Sequence, residues 1–326
     1  MIHFYQAKDG RLSRFASTDD ALAQLADVVW IDMVYPVAEE EALLERALNI
    51  AIPTREDMAE IEISSRVYGE GGAMFLTANL LSLPNGRDPI IAPVTFVLSD
   101  NRLITVRYHA PRPFQTFVEL SMKTQLGCSH GNAVLIALFE TIVDRLADIL
   151  EQASHGLDDI SKSIFVHGAR IKRRPGHLAE VLEHIGRAED LNGKVRDSLA
   201  TIDRLAGFLM QFTSAAKADR DDKGRVKTLA RDLHSLADYA TIQGQKVTFL
   251  LDATLGMINI EQNKILGIFS IVAFVFLPPT LIASLYGMNF DVMPELHWRW
   301  GYPFALGMMF MSAVLPYLFF KRRGWL

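Results

Sequence analysis

Charge is missing from two long stretches near the end of this 326-residue chain. Neither Ile265 to Phe290 nor Trp300 to Phe320 contains an Asp, Glu, Lys or Arg residue. About 20 helical residues cross the hydrocarbon core of a bilayer, because each adds about 1.5 Å. Both stretches therefore predict transmembrane helices, and they argue against a wholly soluble protein.

Cysteine is nearly absent, since Cys128 is the only one. A disulfide framework and a cysteine-based metal site are both excluded by that count. The start of the chain, Met1 to Gln6, has no basic segment followed by a long apolar core, so no signal peptide is expected. We therefore expect the large N-terminal part to stay in the cytoplasm.

An excess of basic residues is also missing, because the formal net charge is −5. This balance argues against nucleic acid as a partner. The chain has no Gly-x-x-x-x-Gly-Lys-Ser/Thr motif, so ATP-driven transport is unsupported. The histidines are scattered and no nucleophile–base spacing stands out, so we do not expect an enzyme.

Before the first uncharged stretch, the sequence pattern changes near residue 130. The earlier part mixes β-rich runs, such as 94–98 and 102–108, with the acidic helical segment 38–48. The later part predicts helices from Asn132 to Phe165 and from Leu178 to Phe212. The expected divisions are an α/β domain at 1–130, a helical hairpin at 131–224, a stalk helix at 225–286 whose membrane span starts at about 265, an outer loop at 287–301, a second span at 302–320 and a basic tail at 321–326.

The predicted stalk helix, which should start near Arg225 after a charged turn at 217–224, carries a heptad-like apolar stripe. Such a stripe packs helices together, either within one subunit or in a stalk shared by several copies. Its continuation into a membrane span favours the shared stalk, since one or two spans cannot enclose a water path. The stripe consists of Val226, Leu229, Leu233, Leu236, Ala240, Val247, Leu250, Thr254 and Met257.

The orientation in the membrane follows from the basic residues. The tail contributes Lys321, Arg322 and Arg323, whereas the link between the spans contributes only Arg299. Clustered Lys and Arg favour the cytoplasmic side, so both chain ends are predicted to be cytoplasmic and the link to face outward.

Polar residues of the first span share one side of the predicted helix. Asn263, Ser270, Leu277, Thr280 and Ser284 fall on an arc about 100° wide at 100° per residue. The arc favours a water-filled path, although hydrogen bonding between packed helices is the alternative. Its lack of carboxylates suits a cation that keeps its hydration shell, as Mg²⁺ tends to do.

Apolar residues on or near this side are the other expected part of the path. Leu277, with Leu266 and Phe269 nearby, would form constrictions that gate by dewetting, or would simply face lipid or pack. Pro278-Pro279 predicts either a gating hinge or a fixed kink.

The end of the chain resembles the CorA family of magnesium and cobalt transport proteins, most closely the enterobacterial type. Gly287-Met288-Asn289 is followed at the family's spacing by Met293-Pro294-Glu295-Leu296, and the chain ends in a basic segment and Trp-Leu. Further matching text is Ile260 to Asn263, Phe276 to Ser284, Gly301-Tyr302-Pro303 and Lys321 to Leu326. The N-terminal part fits the family by its length and its α/β-then-helix order.

The resemblance implies a funnel-shaped homopentamer in a bacterial inner membrane, with five first spans around a pore. It implies Mg²⁺ as substrate and as regulator, with Co²⁺ and Ni²⁺ as lesser substrates, and no cofactor. Asn289 would be the selectivity amide acting through the waters of the ion, and Tyr286, Gly287 and Met288 would shape its loop. The other implied positions are Asn263 as an inner polar ring, Leu266, Leu277 and Thr280 along the pore, and Lys321, Arg322 and Arg323 around the cytoplasmic mouth.

The family's cytoplasmic domain senses Mg²⁺ through carboxylates between subunits, and binding there favours closure. A stalk position that is acidic in some members falls on Thr228 here, which is a departure from that pattern. Asp232 and Asp238 are the nearby candidates.

Two other functions fit parts of the pattern. A zinc transporter of the ZntB type would keep the architecture, but the complete Met-Asn-Phe and Met-Pro-Glu-Leu text speaks against it. A membrane-anchored sensor or scaffold would use the spans only as a tether. It predicts that Asn289 is dispensable.

Overall fold

The computed structural model describes residues 1–60, 62, 66–84, 88–165, 176–215, 220–288, 293 and 298–323. The chain divides into two compact units, Met1–Leu250 and Leu251–Leu326. The strands are β1 (Ile2–Lys8), β2 (Arg11–Arg14), β3 (Val28–Val34), β4 (Val67–Glu70), β5 (Ala73–Ser82), β6 (Ile90–Ser99) and β7 (Arg102–Arg107). The helices are α1 (Thr18–Ala23), α2 (Ala38–Leu48), α3 (Arg55–Met58), α4 (Arg112–Lys123), α5 (Gly131–Phe165), α6 (His177–Ala215), α7 (Arg220–Tyr286) and α8 (Gly301–Arg322).

The strands form one sheet in the order β2-β1-β3-β7-β6-β5-β4. Only the β3–β7 pair is parallel among the strand pairs of the described chain. Neighbouring residues of the central strands enter different apolar clusters, as Phe96 and Val97 of β6 do. Helices α4 and α5 contribute to one cluster, and α1, α2 and α3 to the other. Both faces of the sheet are therefore covered, which explains why its central strands are almost continuously apolar.

A buried ion pair joins the two central strands β3 and β7. The guanidinium of Arg107 donates to both carboxylate oxygens of Asp32, at 3.0 and 2.8 Å. Thr105 donates to the same carboxylate at 2.8 Å, and the Trp30 indole N–H donates to Thr105 at 3.1 Å. Removing one partner of such a pair leaves an uncompensated buried charge. This network therefore holds the centre of the sheet in one register.

Helix α7, here called the stalk helix, begins at Arg220 rather than near Arg225. The acids predicted to form a turn, Asp221 and Asp222, lie in its first turn, where the positive end of the helix dipole favours carboxylates. Asp222 also contacts the His130 imidazole at 3.0 Å, and Arg225 donates to both carboxylate oxygens of Glu140 at 3.0 and 2.6 Å. These contacts attach the start of the stalk helix to the residues at and before α5.

The apolar stripe of the stalk helix is buried within one subunit as far as Leu250. Val226, Leu229 and Leu233 belong to the same core cluster as residues of α5 and α6, and Leu250 is also buried. The prediction of a stalk shared through this stripe is therefore wrong for this part of the helix. Two buried amides explain the interruption of the stripe near 243–244: Gln243 donates to the Leu150 carbonyl at 2.7 Å, and Asn192 donates to the Ala240 carbonyl at 3.1 Å.

Candidate functional site

The second unit contains the two apolar helical segments that the sequence predicts. The most apolar windows of α7 and α8 have mean hydropathies of 2.4 and 1.7, and each is only 6% buried. A core helix of a soluble protein would be mostly covered by its own chain. The exposure of both segments instead favours a lipid environment, where an apolar surface carries no cost.

One face of the stalk helix packs against the rest of this unit. Ile271 is 6% exposed, and Val275, Pro278, Ile282 and Tyr286 are half-buried. These positions recur at three- and four-residue intervals and fall on an arc roughly 80° wide. They therefore mark the packed face of α7, beside which the ring of Phe274 lies 5.9 Å from that of Phe320 of α8.

The residues predicted to line the path lie on a different face. Leu266, Phe269 and Leu277 are 61%, 68% and 66% exposed, in contrast to Ile271. Asn263, Ser270, Thr280 and Ser284 are exposed as well. At 100° per residue the centre of this group lies roughly 160° from the centre of the packed face, and the two arcs do not overlap.

Two hydroxyl groups of this arc are satisfied by their own helix. The Ser270 hydroxyl donates to the Leu266 carbonyl at 2.9 Å, and the Thr280 hydroxyl donates to the Phe276 carbonyl at 2.7 Å. Neither hydroxyl is used to hold α8 in place. The alternative that the arc serves hydrogen bonding between the two spans of one subunit therefore finds no support here.

The proline pair does not end the stalk helix. The helix runs through Pro278 and Pro279 to Tyr286. Because proline has no N–H, the carbonyls four residues earlier lose their helical donors.

The predicted selectivity loop starts where the stalk helix stops. The Gly287 N–H donates to the carbonyls of Ala283 and Ser284 at 3.0 and 3.2 Å, and the Met288 N–H donates to Leu285 at 3.4 Å. A β-carbon at Gly287 would lie 3.2 Å from the Ala283 carbonyl oxygen, so glycine suits this tight end. Tyr286 is half-buried and Met288 exposed. Asn289 lies outside the described residues.

The basic mouth residues lie at the other end of α8. Lys321 and Arg322 form its last turn, where the negative end of the helix dipole favours cations. Arg323 follows as the cap, with its guanidinium 5.5 Å from the centre of the Phe319 ring. The exposed side chains of Lys321, Arg322 and Arg323 are thus compatible with a basic ring.

The two regulatory candidates lie on different faces of the stalk helix, roughly 120° apart. Asp232 belongs to an acidic group with three acids of α5, since burial first, and then the charges of Glu140, Asp148 and Asp232, raise the pKa of Asp144. Asp238 instead lines a groove of about 570 Å³ between α6 and α7 with Asp203 and others. The two therefore cannot share one site within a subunit.

No group of three or more His, Cys, Asp or Glu side chains is arranged to hold a metal ion among the described residues. In the described part of a single subunit, neither Asp232 nor Asp238 has a complete set of protein ligands. Sequence reasoning also missed a cavity beside the end of α7, lined by Tyr286, Gly287 and Tyr302 among others. Its residues are too far apart in the sequence to form a motif.

Comparison with known proteins adds three findings. The family model described as "CorA-like Mg2+ transporter protein" matches residues 26–322. Proteins named magnesium transport protein CorA from Haemophilus influenzae and Escherichia coli are 34% and 33% identical, and each match covers 100% of both chains. The solved structure of the CorA magnesium transporter from Methanocaldococcus jannaschii has a TM-score of 0.78 at 20% identity, over 100% of this chain and 99% of that one.

Proposed function

Because the chain belongs to the CorA family of Mg²⁺ transporters, we propose that it forms a homopentameric channel for Mg²⁺ influx. The protein is a membrane transporter of magnesium and not an enzyme. The proposal adds the route and the drive: hydrated Mg²⁺ passes along the polar arc of five stalk helices. It moves down the electrochemical gradient, because a divalent cation gains about 4.6 kcal/mol per 100 mV of inside-negative potential.

One observation carries this route. The polar arc of the stalk helix is exposed and lies away from the packed face of α7. Polar groups of a membrane helix face a protein interior or water, because hydrocarbon does not solvate them. Within one subunit nothing among the described residues covers the arc, so other copies supply the enclosure. Asn263, Leu266, Phe269, Ser270, Leu277, Thr280 and Ser284 would line it.

A second exposed surface supports assembly of several copies. In the cytoplasmic part of the stalk helix, Ile242 and Phe249 are 61% and 59% exposed, seven residues apart on one face. Tyr239 lies close to the same face and is also exposed. This face differs from the buried stripe, and its contact with a second copy would remove apolar surface from water. The number five follows from the family and not from these contacts.

The ends of the path would determine selection and gating. Asn289 would select hydrated Mg²⁺ at the outer mouth through its amide, with Co²⁺ and Ni²⁺ as lesser substrates. The loop would face the periplasm of a bacterial inner membrane, and both chain ends would be cytoplasmic. Lys321, Arg322 and Arg323 would surround the inner mouth, where positive charge slows the exit of cations.

Closure by intracellular Mg²⁺ would act on the acids of the stalk. Asp232 lies near enough to Asp144 of α5 for its charge to contribute to the raised pKa of Asp144, and a bound divalent cation would relieve that repulsion. Ligands from a neighbouring subunit would complete the site, since the described part of one subunit lacks a full set. Asp238 is a separate candidate on another face.

Ion flux into liposomes tests this function. Purified protein is reconstituted around a Mg²⁺-sensitive dye, and influx is followed under an inside-negative potential. We expect Mg²⁺ influx from the natural sequence and its abolition in Asn289→Ala, with an unchanged mass of the solubilised complex. Asn101→Ala, the same substitution in the exposed turn between β6 and β7, is the matched control.

The rival functions give different results in the same experiment. Zn²⁺ uptake without Mg²⁺ uptake would identify a ZntB-like transporter. Absence of Mg²⁺ and Zn²⁺ flux from the natural sequence and from Asn289→Ala alike would favour spans that only tether a sensor or scaffold. A monomeric or dimeric mass in mild detergent would remove the pore itself.

A further inference from the structure

A cavity of about 390 Å³ lies behind the outer end of the stalk helix, inside the second unit. One wall is formed by Ala283, Tyr286 and Gly287, and the other by the chain from Trp298 to Met309. On α8 the lining positions 301, 305 and 309 recur every four residues and therefore share one face. That face extends roughly 12 Å down the helix, at 1.5 Å per residue. The cavity is thus a cleft along the helix rather than a shallow surface dent.

The cleft changes character along its length. Its outer end has Trp298, Arg299 and Tyr302, and its inner end has Ala305, Leu306 and Met309. Trp and Tyr are the side chains that collect at the headgroup level of a bilayer, where one end of the ring is wet. Trp298 and Tyr302 are largely exposed, as side chains at such a boundary are expected to be. The lining of the cleft therefore changes from polar at the outer interface to apolar toward the bilayer core.

The charge at the outer end has one sign. Arg299 is the only charged residue among the described residues that line the cleft. Its planar guanidinium matches two phosphate oxygens in parallel hydrogen bonds. The start of α8 at Gly301 adds the positive end of the helix dipole to the same field. An anionic group at this end would therefore be favoured.

We propose that the cleft binds a phospholipid of the outer leaflet, with its phosphate on Arg299 and the upper part of one acyl chain along Ala305, Leu306 and Met309. A soluble anion would satisfy the charge and leave the apolar depth empty, whereas a phospholipid matches both ends. The choice of leaflet rests on the proposed function, because that function places the link between the spans outside.

The bound lipid would contact the last turn of the stalk helix. Tyr286 and Gly287 form the opposite wall of the cleft and directly precede Met288 and the undescribed part of the loop. A filled cleft would hold this helix end against α8. The lipid would therefore act as a structural support for the outer mouth, without taking part in ion coordination.

Lipid retention measures this proposal separately from transport. The full-length complex is delipidated in mild detergent, titrated with phosphatidylglycerol and analysed by native mass spectrometry. We expect up to one tightly held lipid per subunit, with affinity reduced at least tenfold in Arg299→Gln. Ala305→Phe, which fills the apolar end, should weaken lipid binding to a similar extent. Arg112→Gln, the same substitution at an exposed position of α4 in the first unit, should leave this binding unchanged.

Three results would overturn the proposal. Equal lipid binding by the natural sequence, Arg299→Gln and Ala305→Phe would place the lipid elsewhere. Competition by glycerol phosphate as effective as that by the lipid would identify a soluble-anion site. Absence of any retained lipid in the natural complex would show that the cleft is filled by protein, from this chain or another copy. The unchanged mass of each complex serves as the folding control, and loss of Mg²⁺ flux alone decides nothing about the lipid.

Discussion

The stalk helix is one continuous helix, but its apolar residues behave in opposite ways in the two units of the chain. In the first unit, Leu233 is 0% exposed and packs with residues of α5 and α6. In the second unit, Leu277 of the same helix is 66% exposed, although the surrounding sequence is more apolar. Apolar sequence therefore does not mean burial by the same chain. The first unit is folded by the exclusion of water, and the second is matched to lipid and to other copies.

Polar residues show the same reversal. Gln243 in the first unit is inside, where its amide donates to the Leu150 carbonyl of α5. Ser270 in the second unit is outside, on the face away from the packed one, with its hydroxyl returned to its own helix. A buried amide in the first unit fixes how helices meet. An exposed polar arc in the second unit leaves a surface that only an assembly can use.

The largest difference in stability is expected between two variants that each truncate one leucine of the stalk helix, one in each unit. Leu233→Ala should destabilise the first unit by about 2–5 kcal/mol, because it opens a cavity in a close-packed core. Leu277→Ala should change stability by no more than about 0.5 kcal/mol, because that side chain makes few contacts within the subunit. Hydrogen exchange of the full-length complex, followed in segment 226–240 for the first variant and 271–286 for the second, measures both.

For Mg²⁺ flux we expect the reverse order, with the larger effect in Leu277→Ala. Leu277→Ala should alter Mg²⁺ flux, because it widens a proposed constriction of the path. Leu233→Ala should leave the flux of correctly folded complexes unchanged at a temperature where they stay folded. Equal protection losses in both segments would contradict the contrast between the two units.

The second prediction uses pH and concerns only the first unit. Burial, with a smaller contribution from the Arg107 charge, lowers the pKa of His109 to about 4 from 6.5. Its Nε2 donates to the Leu80 carbonyl at 3.0 Å, so a second proton must go on Nδ1, which is buried and has no partner in the described structure. Unfolded chain therefore binds more protons between pH 6.5 and 4. The contribution of neutral His109 to the free energy of unfolding should be fully present above pH 6.5. It should fall by about 3 kcal/mol as the pH approaches 4.

His109→Gln provides the matched comparison, because an amide keeps a donor for Leu80 and does not titrate. The variant should show a flatter dependence on pH between 6.5 and 4 in the hydrogen exchange of β5 and β7. Exchange in the segment 271–286 should not follow this titration. An equally steep dependence in His109→Gln would assign the effect to other groups.

The sequence was sufficient for elements whose pattern is strong and local. The bounds of α2 match the predicted 38–48, and α5 starts one residue before the predicted Asn132. β1, β2, β4 and α4 were not predicted. β2 and β4 are four-residue edge strands, and strand propensity depends strongly on what packs against the residues. The sheet order also could not be predicted, since the parallel β3–β7 pair joins strands distant in the chain.

The site shows the same limit. The polar arc from Asn263 to Ser284 follows from helical spacing alone, but its position relative to α8 required coordinates. The stripe from Val226 to Leu250 predicts a stalk shared between copies, but the structure buries it within one subunit. Its spacing is the same whether the partner helices belong to the same chain or to another copy. The cleft lined by Arg299 was invisible, because its walls come from two helices and a turn.

A smaller effect is expected at the start of the stalk helix. Arg225→Gln removes the paired hydrogen bonds to Glu140 of α5. Both side chains are partly exposed, so we expect a loss of only about 1 kcal/mol, and less at high salt. Hydrogen exchange in residues 221–228 at low and high salt measures it. Equal losses at both ionic strengths would show that packing of the arginine stem, rather than charge, holds this end.

The smallest expected effects come from two serines that differ mainly in the face they occupy. Ser270 on the exposed arc and Ser312 on α8 both donate to carbonyls of their own helices, at 2.9 and 2.8 Å. Replacing either by alanine should therefore change stability by less than about 0.5 kcal/mol. Only Ser270→Ala should change Mg²⁺ flux, and by less than tenfold, because each subunit would lose one hydroxyl from a path that keeps its other polar groups. A flux change of the same size in Ser312→Ala would mean that the two faces of the membrane helices are not functionally distinct.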